Sequence, residues 1–307
     1  MEFKMQNRTL GKTNLEVTPI GFGTAQIGFV GMDQSDCDRL LNGVLDTGVH
    51  VIDTAACYVD AEEKTGKSIG SRRDEYVLVS KCGHKMADDD PAEWSGALVR
   101  KSAERSLRLL KTDHLDVLLI HSCPKANLEN EEFLEALVRC KQDGLVRFIG
   151  YSGDREDLDY ALTLEMVDCV ETSVSICDQQ VLESSLPRAK DLDIGVFAKR
   201  PVANSVWRDM TQYGGPYGGY TSVYTERLKK MNFTPESIGF DGSWIELALR
   251  FTLHQAGVHC ALIGGLNLDH VKDNLRIAEQ GPLPNVVIEG LYAIWKTHDD
   301  GSWVGQT

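Results

Sequence analysis

The sequence predicts an α/β protein built as one (β/α)8 TIM barrel, with residues 1–307 forming a single domain. Three observations predict it. Eight short apolar runs recur along the chain, segments of helical period separate them, and most of the runs are unbroken rather than alternating. Unbroken runs are what parallel strands covered on both faces look like. A length of 307 residues suits one such barrel. An open doubly wound sheet would instead call for a glycine fingerprint running from the first strand into a helix. Here "GFGTAQIG" holds GxG without a third glycine at the right place.

The elements follow in order. Strand one is read at Pro19–Gly23 (PIGFG) and strand two at His50–Asp53 (HVID). Between them "DQSDCDRLLNGVLDTG" carries acid and serine near its start and Gly48 past its end, the usual helix signals. Strand three is Tyr76–Lys81, followed by a predicted helix in "PAEWSGALVRKSAERSLRLLK" that opens at Pro91, a residue suited to a first turn. Strand four is Leu115–His121, and the helix "NEEFLEALVRCKQDG" ends at Gly144. Strands five and six are Val146–Tyr151 and Val167–Thr172, and Pro187 should kink the helix that follows. Strand seven is Ile194–Lys199 and strand eight Val258–Gly264, the latter flanked by "SWIELALRFTLHQAG" and "LDHVKDNLRIAEQ". The long connection after strand seven includes "QYGGPYGGYTSVY" (Gln212–Tyr224), rich in glycine and tyrosine. It reads either as a lid or as a surface excursion. The tail "GSWVGQT" sets Trp303 among polar residues, either over a pocket or against the outside of the barrel.

The net charge of −14, with no dense Lys/Arg cluster, argues against nucleic-acid binding. No apolar run approaches the ~20 residues of a membrane helix. The opening "MEFKMQNRTL" lacks the apolar stretch of a signal peptide, so a soluble cytoplasmic protein is expected. The eight cysteines are scattered and read as reduced thiols. Cys82, His84, His121 and Cys123 lack the paired spacing of a zinc motif, and no metal is expected.

Functional side chains of such a barrel sit at the C-terminal ends of its strands. Asp53, Lys81 and His121 end strands two, three and four, and Tyr58 lies on the loop after Asp53. Taken singly, each has a structural reading: a loop cap, a solvated strand end, a hydrogen-bonded histidine beneath a loop. On consecutive strands they fit one chemistry. A phenol has a pKa of about 10, too high for easy proton exchange near neutrality. A nearby ammonium lowers it, and an aspartate holds that ammonium in place. A histidine at the same point orients a carbonyl or shares the proton. The result suits hydride addition to a carbonyl, with the hydride supplied by a cofactor.

The stretches "LGKTNLEVTPIGFGTAQIG", "DTAACYVDAEEKTG", "LVSKCGH", "LLIHSCP" and "DGLVRFIGYSGD" resemble, in order, the signatures of the aldo-keto reductases, from about Thr9 to about Glu279. The resemblance implies NAD(P)H-dependent reduction of an aldehyde or ketone, or the reverse oxidation, on a small-molecule carbonyl substrate. It implies a tetrad of Asp53, Tyr58, Lys81 and His121, with Tyr58 as general acid. The implied cofactor positions are Gly23, Thr24, Ala25 and Asp53; Ser152 at the nicotinamide carboxamide; and Gly264, Gly265, Leu266, Asn267 and Asn274 at the adenosine end.

Several positions depart from the pattern. Gly153 stands where asparagine is usual, Glu171 where glutamine is usual, and Lys199 where an aromatic ring is expected to stack on nicotinamide. Lys199 and Arg200, with Pro201 beside them, either meet the pyrophosphate or an acidic substrate group, or form a solvated basic pair. Where cations usually meet a 2′-phosphate, this chain has Leu266, Asn267 and His270, with Lys272 and Arg276 nearby. NADP(H) is slightly favoured, and NAD(H) stays open. The rival function is a cofactor-sensing regulatory barrel with negligible turnover.

Overall fold

The computed structural model describes residues 6–208 and 218–306. Strands β1 (Arg8–Thr9) and β2 (Glu16–Val17) pair as a small antiparallel hairpin. Eight further strands follow: β3 (Ile20–Gly23), β4 (Val51–Asp53), β5 (Val77–Cys82), β6 (Leu115–His121), β7 (Val146–Ser152), β8 (Cys169–Ser173), β9 (Gly195–Lys199) and β10 (Cys260–Gly264). These eight close as a parallel barrel, with β10 pairing both β9 and β3. All eight strands expected from the sequence are present, displaced by at most a few residues at their ends.

Side chains alternate faces along a strand, so positions two apart share a face. Val51, Val77, Val79, Val117, Leu119, Cys169, Phe197, Cys260 and Leu262 form one buried cluster inside the barrel. Continuing each strand by two residues in the same phase reaches Asp53, Lys81, His121, Glu171 and Lys199, while Ser152 holds the same phase on β7. The mouth is therefore the polar top layer of the interior stack. The other phase, with Ile52, Leu78, Leu118, Ile120, Val170 and Val196, packs against the helices in the main core. A fully buried aliphatic side chain contributes about 1.5–3 kcal/mol, so this outer layer dominates the favourable side of folding.

The hairpin was not expected from the sequence. It plugs the opposite end of the barrel: Leu10, Leu15 and Val17 are buried within the interior cluster. Gly11 (φ +47°) permits the close turn, since a Cβ there would meet Asp193 O at 2.4 Å.

Two helix expectations are corrected. The helix after β5 is Gly96–Leu110, not one opening at Pro91, because Ser95 caps it by accepting from Leu98 N at 3.3 Å. Pro187 does not kink a long helix. It lies in the first turn of a short one, Ser185–Asp191, where a missing N–H costs nothing. The segment Gln212–Tyr224 falls partly outside the described residues. Its end enters the helix Gly218–Met231, where Tyr224 is buried and donates to Asp178 Oδ2 at 3.0 Å. That helix, Trp244–Leu253 and Asn285–His298 share a second core with Trp303. Among the described residues no helix is long and apolar enough to cross a membrane.

Candidate active site

Strand register brings Asp53, Lys81 and His121 to one rim. Gly264 pairs Gly23, Gly23 pairs Asp53, and His121 pairs Ser152, which pairs Glu171. Lys81 is the hub. Its Nζ donates to Asp53 Oδ1 at 2.5 Å and to Thr54 O at 3.0 Å, and lies 3.3 Å from Glu171 Oε2. Its side chain is 0% exposed, and its two acidic neighbours are nearly as closed. Lys81 Nζ also sits 5.2 Å from the centroid of the Tyr58 ring. The His121 ring meets Tyr58 edge-on, with centroids 6.2 Å apart.

Tyr58 reaches the rim because the turn after β4 is pinned at both ends. Tyr58 N donates to Ala55 O at 3.0 Å, and Tyr58 O accepts from Ala61 N at 2.9 Å, where the helix Ala61–Ile69 begins.

The charges follow from burial. Burial and the Glu171 charge push Asp53 up to about 8, against the pull of Lys81. Burial alone would lower Lys81, but Asp53 and Glu171 outweigh it and hold the ammonium charged. Near neutrality Asp53 thus keeps its proton while Lys81 keeps its charge. His121 is held well below its usual value by burial first and then by its neighbours Lys81, His84, Lys199 and Arg200, so it is neutral. Tyr58 differs from the expectation. Lys81 does pull it down, but burial is the larger effect and the nearby carboxylates add to it, so the phenol stays above its ordinary value.

Lys199 and Arg200 are not a solvated pair. Lys199 Nζ sits 2.9 Å from Asp154 Oδ2, whose carboxylate is fully buried and also accepts from Thr172 Oγ1 and Ser173 N. Arg200 donates to Ser173 Oγ at 2.8 Å and to the carbonyl of Gln306. Pro201 is buried just beyond them. Gly153 has a local cause: a Cβ there would meet Tyr151 Oη at 2.4 Å, and that hydroxyl is fixed on Cys123 O at 3.0 Å.

Some neighbours were not foreseen. The thiol beside His121 is Cys57 (Sγ···Nδ1 3.4 Å), whereas Cys123 is buried in the outer core. His84 and Trp94 wall the site, with ring centroids 5.4 Å from His121 and 4.8 Å from His84 respectively, and Phe29 meets Tyr58 at 5.7 Å. Among the described residues no group of three His, Cys, Asp or Glu is arranged to hold a metal ion. Asp154 was missed although it lies two residues beyond Ser152, in the inward phase.

A sequence model described as the Aldo/keto reductase family matches residues 19–296. The chain belongs to the aldo-keto reductase family. It is an oxidoreductase, and its relatives bear the same stamp. An uncharacterized oxidoreductase, YqkF, of Bacillus subtilis is 26% identical over 96% of the chain and 99% of its own length. L-galactose dehydrogenase of Arabidopsis thaliana is 28% identical over 89% and 88%. Among solved structures, the holo form of aldo-keto reductase AKR11C1 from Bacillus halodurans superposes with a TM-score of 0.79 at 25% identity, covering 94% of this chain and 96% of that one.

The family generally uses NAD(P)H, and this reductase carries residues that fit it. Thr24 Oγ1 and Thr54 Oγ1, just beyond β3 and β4, and Asn274 Oδ1, on the helix Leu268–Ala278, are buried without a hydrogen-bond partner. A buried polar atom left unpaired costs about 1–3 kcal/mol, which a polar ligand would recover. Gly23 and Gly264 carry no side chain into the rim between β3 and β10, and Ala25 opens the short helix that follows. Beyond β10, Gly265 and Leu266 lead to Asn267, which caps the helix Leu268–Ala278 by accepting from Asp269 N at 2.8 Å. Helix N-termini favour phosphate. His270 and Leu266 are exposed there, Lys272 lies 3.7 Å from Asp269, and Arg276 is paired with Asp273.

Proposed function

We propose that the protein reduces an aldehyde or ketone to an alcohol with NAD(P)H, Tyr58 serving as general acid. One observation carries this reading: a fully buried Lys81, clamped by Asp53, lies over the ring of Tyr58, and a neutral His121 meets that ring edge-on. The bound dinucleotide would supply hydride, held by Ser152, Glu171 and the segments 23–25 and 264–274.

The protein's own groups do the rest. A neutral imidazole N–H on His121 donates to the carbonyl oxygen and orients it. As the carbonyl carbon gains hydride, its oxygen becomes a strongly basic alkoxide, which the Tyr58 phenol protonates. A phenol above its ordinary pKa is fully loaded with its proton when the substrate arrives. Lys81 then stabilises the tyrosinate left behind, and its charge is guaranteed by Asp53. The enclosing rings of Phe29, Trp94 and His84 exclude water and strengthen these interactions.

For the dinucleotide, the helix N-terminus at Leu268 supports a slight preference for NADP(H). Lys272 and Arg276 already face Asp269 and Asp273, so discrimination against NAD(H) is small. The test is direct. Purified protein is mixed with NADPH or NADH and a panel of aromatic, aliphatic and sugar-derived aldehydes and ketones, and the reduced-nicotinamide absorbance is followed. Turnover with at least one carbonyl is expected. Dinucleotide binding without turnover on any would favour a cofactor-sensing barrel instead.

A further inference from the structure

A neutral imidazole has two ring nitrogens and a single proton to place on one of them. Which nitrogen carries it is set by the hydrogen bond that the other makes. In His121 one contact can set it. Cys57 Sγ lies 3.4 Å from Nδ1, and among the described residues no protein group hydrogen-bonds Nε2.

Cys57 is set apart from the other cysteines. Of the eight free thiols it alone is not buried. It rides on the turn that carries the phenol: Tyr58 N donates to Ala55 O at 3.0 Å, which puts Cys57 at the third position of that turn. The same turn therefore brings the thiol to Nδ1 and the Tyr58 ring edge-on to the imidazole, with centroids 6.2 Å apart.

The direction of the sulfur contact decides what Nε2 can do. A thiolate would accept from Nδ1–H, whereas a thiol can donate S–H to a bare Nδ1. Burial raises the Cys57 thiol above its ordinary value and outweighs the pull of Lys81, so the sulfur keeps its hydrogen. A thiol sulfur is a weak acceptor, and a bare imidazole nitrogen is a good one. The bond thus runs from S–H to Nδ1, and the ring proton goes to Nε2. With the opposite arrangement Nε2 would turn a lone pair toward the carbonyl oxygen, and two acceptors repel.

We propose that Cys57 is a positioning residue: by donating to Nδ1 it fixes His121 as the Nε2–H tautomer, the form able to donate to a carbonyl oxygen. This rests on the role given to His121 above, and Cys57 acts only through the imidazole. One turn then delivers the acid and also sets the hydrogen bond that orients the oxygen to be protonated.

The experiment reads the tautomer by NMR of protein isotopically labelled at its histidine nitrogens, at about pH 8. A protonated and a bare ring nitrogen resonate far apart, and the His121 signals are those lost in His121→Asn. In the unmodified protein Nε2 should be protonated and Nδ1 bare. Cys57→Val fills the place of the thiol, denies it to water and cannot donate. Its two His121 nitrogens should shift toward each other as the tautomers mix. Its kcat on a carbonyl substrate should fall roughly two- to tenfold, the worth of one neutral hydrogen bond, with dinucleotide affinity unchanged. Cys57→Ser restores a donor and should recover most of that loss. A bare Nε2 in the unmodified protein overturns the proposal. So does a His121 spectrum or a kcat that Cys57→Val leaves unchanged, or a Cys57→Ser as impaired as Cys57→Val. If the unmodified protein turns over no carbonyl, the reaction proposed above fails, and the spectra alone uphold or overturn the hold of Cys57 on the tautomer.

Discussion

The backbone of Gly28 lies directly against the carbonyl oxygen of Tyr58: a Cβ at residue 28 would stand 2.0 Å from that oxygen. The same oxygen accepts from Ala61 N and so starts the next helix. Gly28→Ala must therefore displace the turn that presents the phenol. A misplacement of about 1 Å near the reacting atoms costs on the order of 10²-fold in rate. Turnover should fall by that order, while the thermal midpoint drops by the modest amount expected of about 1–3 kcal/mol of overpacking. Full activity in Gly28→Ala would mean that the turn does not position the acid.

Tyr58→Phe removes the proton and leaves the rest of the rim in place. A positioned general acid contributes about 10²–10⁴-fold. The rate should fall within that range while dinucleotide affinity changes little, as read by stopped-flow turnover and by binding titration. Parental activity would exclude Tyr58 as the acid.

Lys81→Met leaves two buried carboxylates facing each other. Breaking a buried pair costs about 3–5 kcal/mol. That loss should be largest at pH 8 and smaller at pH 5, where Asp53 holds its proton and needs no cation. The unmodified protein has a related dependence. Asp53, pushed up to about 8, keeps a proton that the unfolded chain releases near its ordinary value of about 4. The folded form binds more protons across that window, so stability falls as pH rises from about 4 to about 8. Denaturant midpoints measured across this range check both statements. A pH-independent cost for Lys81→Met would show that the carboxyls do not interact.

Gly153→Asn would restore the residue usual in the family at that position. Its Cβ would strike the Tyr151 hydroxyl, which is anchored on Cys123 O. The expected outcome is a loss of about 1–3 kcal/mol and no gain in dinucleotide affinity. Tighter binding with unchanged stability would show that Tyr151 moves freely.

Trp303→Ala should destabilise the chain by about 3–5 kcal/mol. Trp303 is 7% exposed, meets Trp295 with ring centroids 5.0 Å apart, and lies 5.5 Å from the Arg227 guanidinium. It anchors a tail whose Gly305 and Gln306 bond Arg155, Gln180 and Asp178. Loosening this anchor should also raise proteolysis at the tail, which limited digestion followed by mass spectrometry reads out. A stable, digestion-resistant variant would show that the polar contacts hold the tail without the ring.

Much of the fold could be read from residue order because its signals are local. Apolar runs, most of them unbroken, marked all eight barrel strands, and their C-terminal ends put Asp53, Lys81 and His121 at one mouth. Tyr58 sits on a loop where no periodicity speaks; the chemistry of a phenol near an ammonium and an aspartate pointed to it, and the resemblance implied its role as the acid. The tertiary structure decided what depends on contacts between distant segments. It paired Lys199 with Asp154, put Cys57 rather than Cys123 beside His121, and seated Trp303 against Trp295. It also turned the phenol of Tyr58 into a weaker acid than a lysine neighbour alone suggests, because burial and two carboxylates outweigh the ammonium. Charge and periodicity are written residue by residue, but desolvation is a property of everything packed around a group, and that exists only once the barrel has closed.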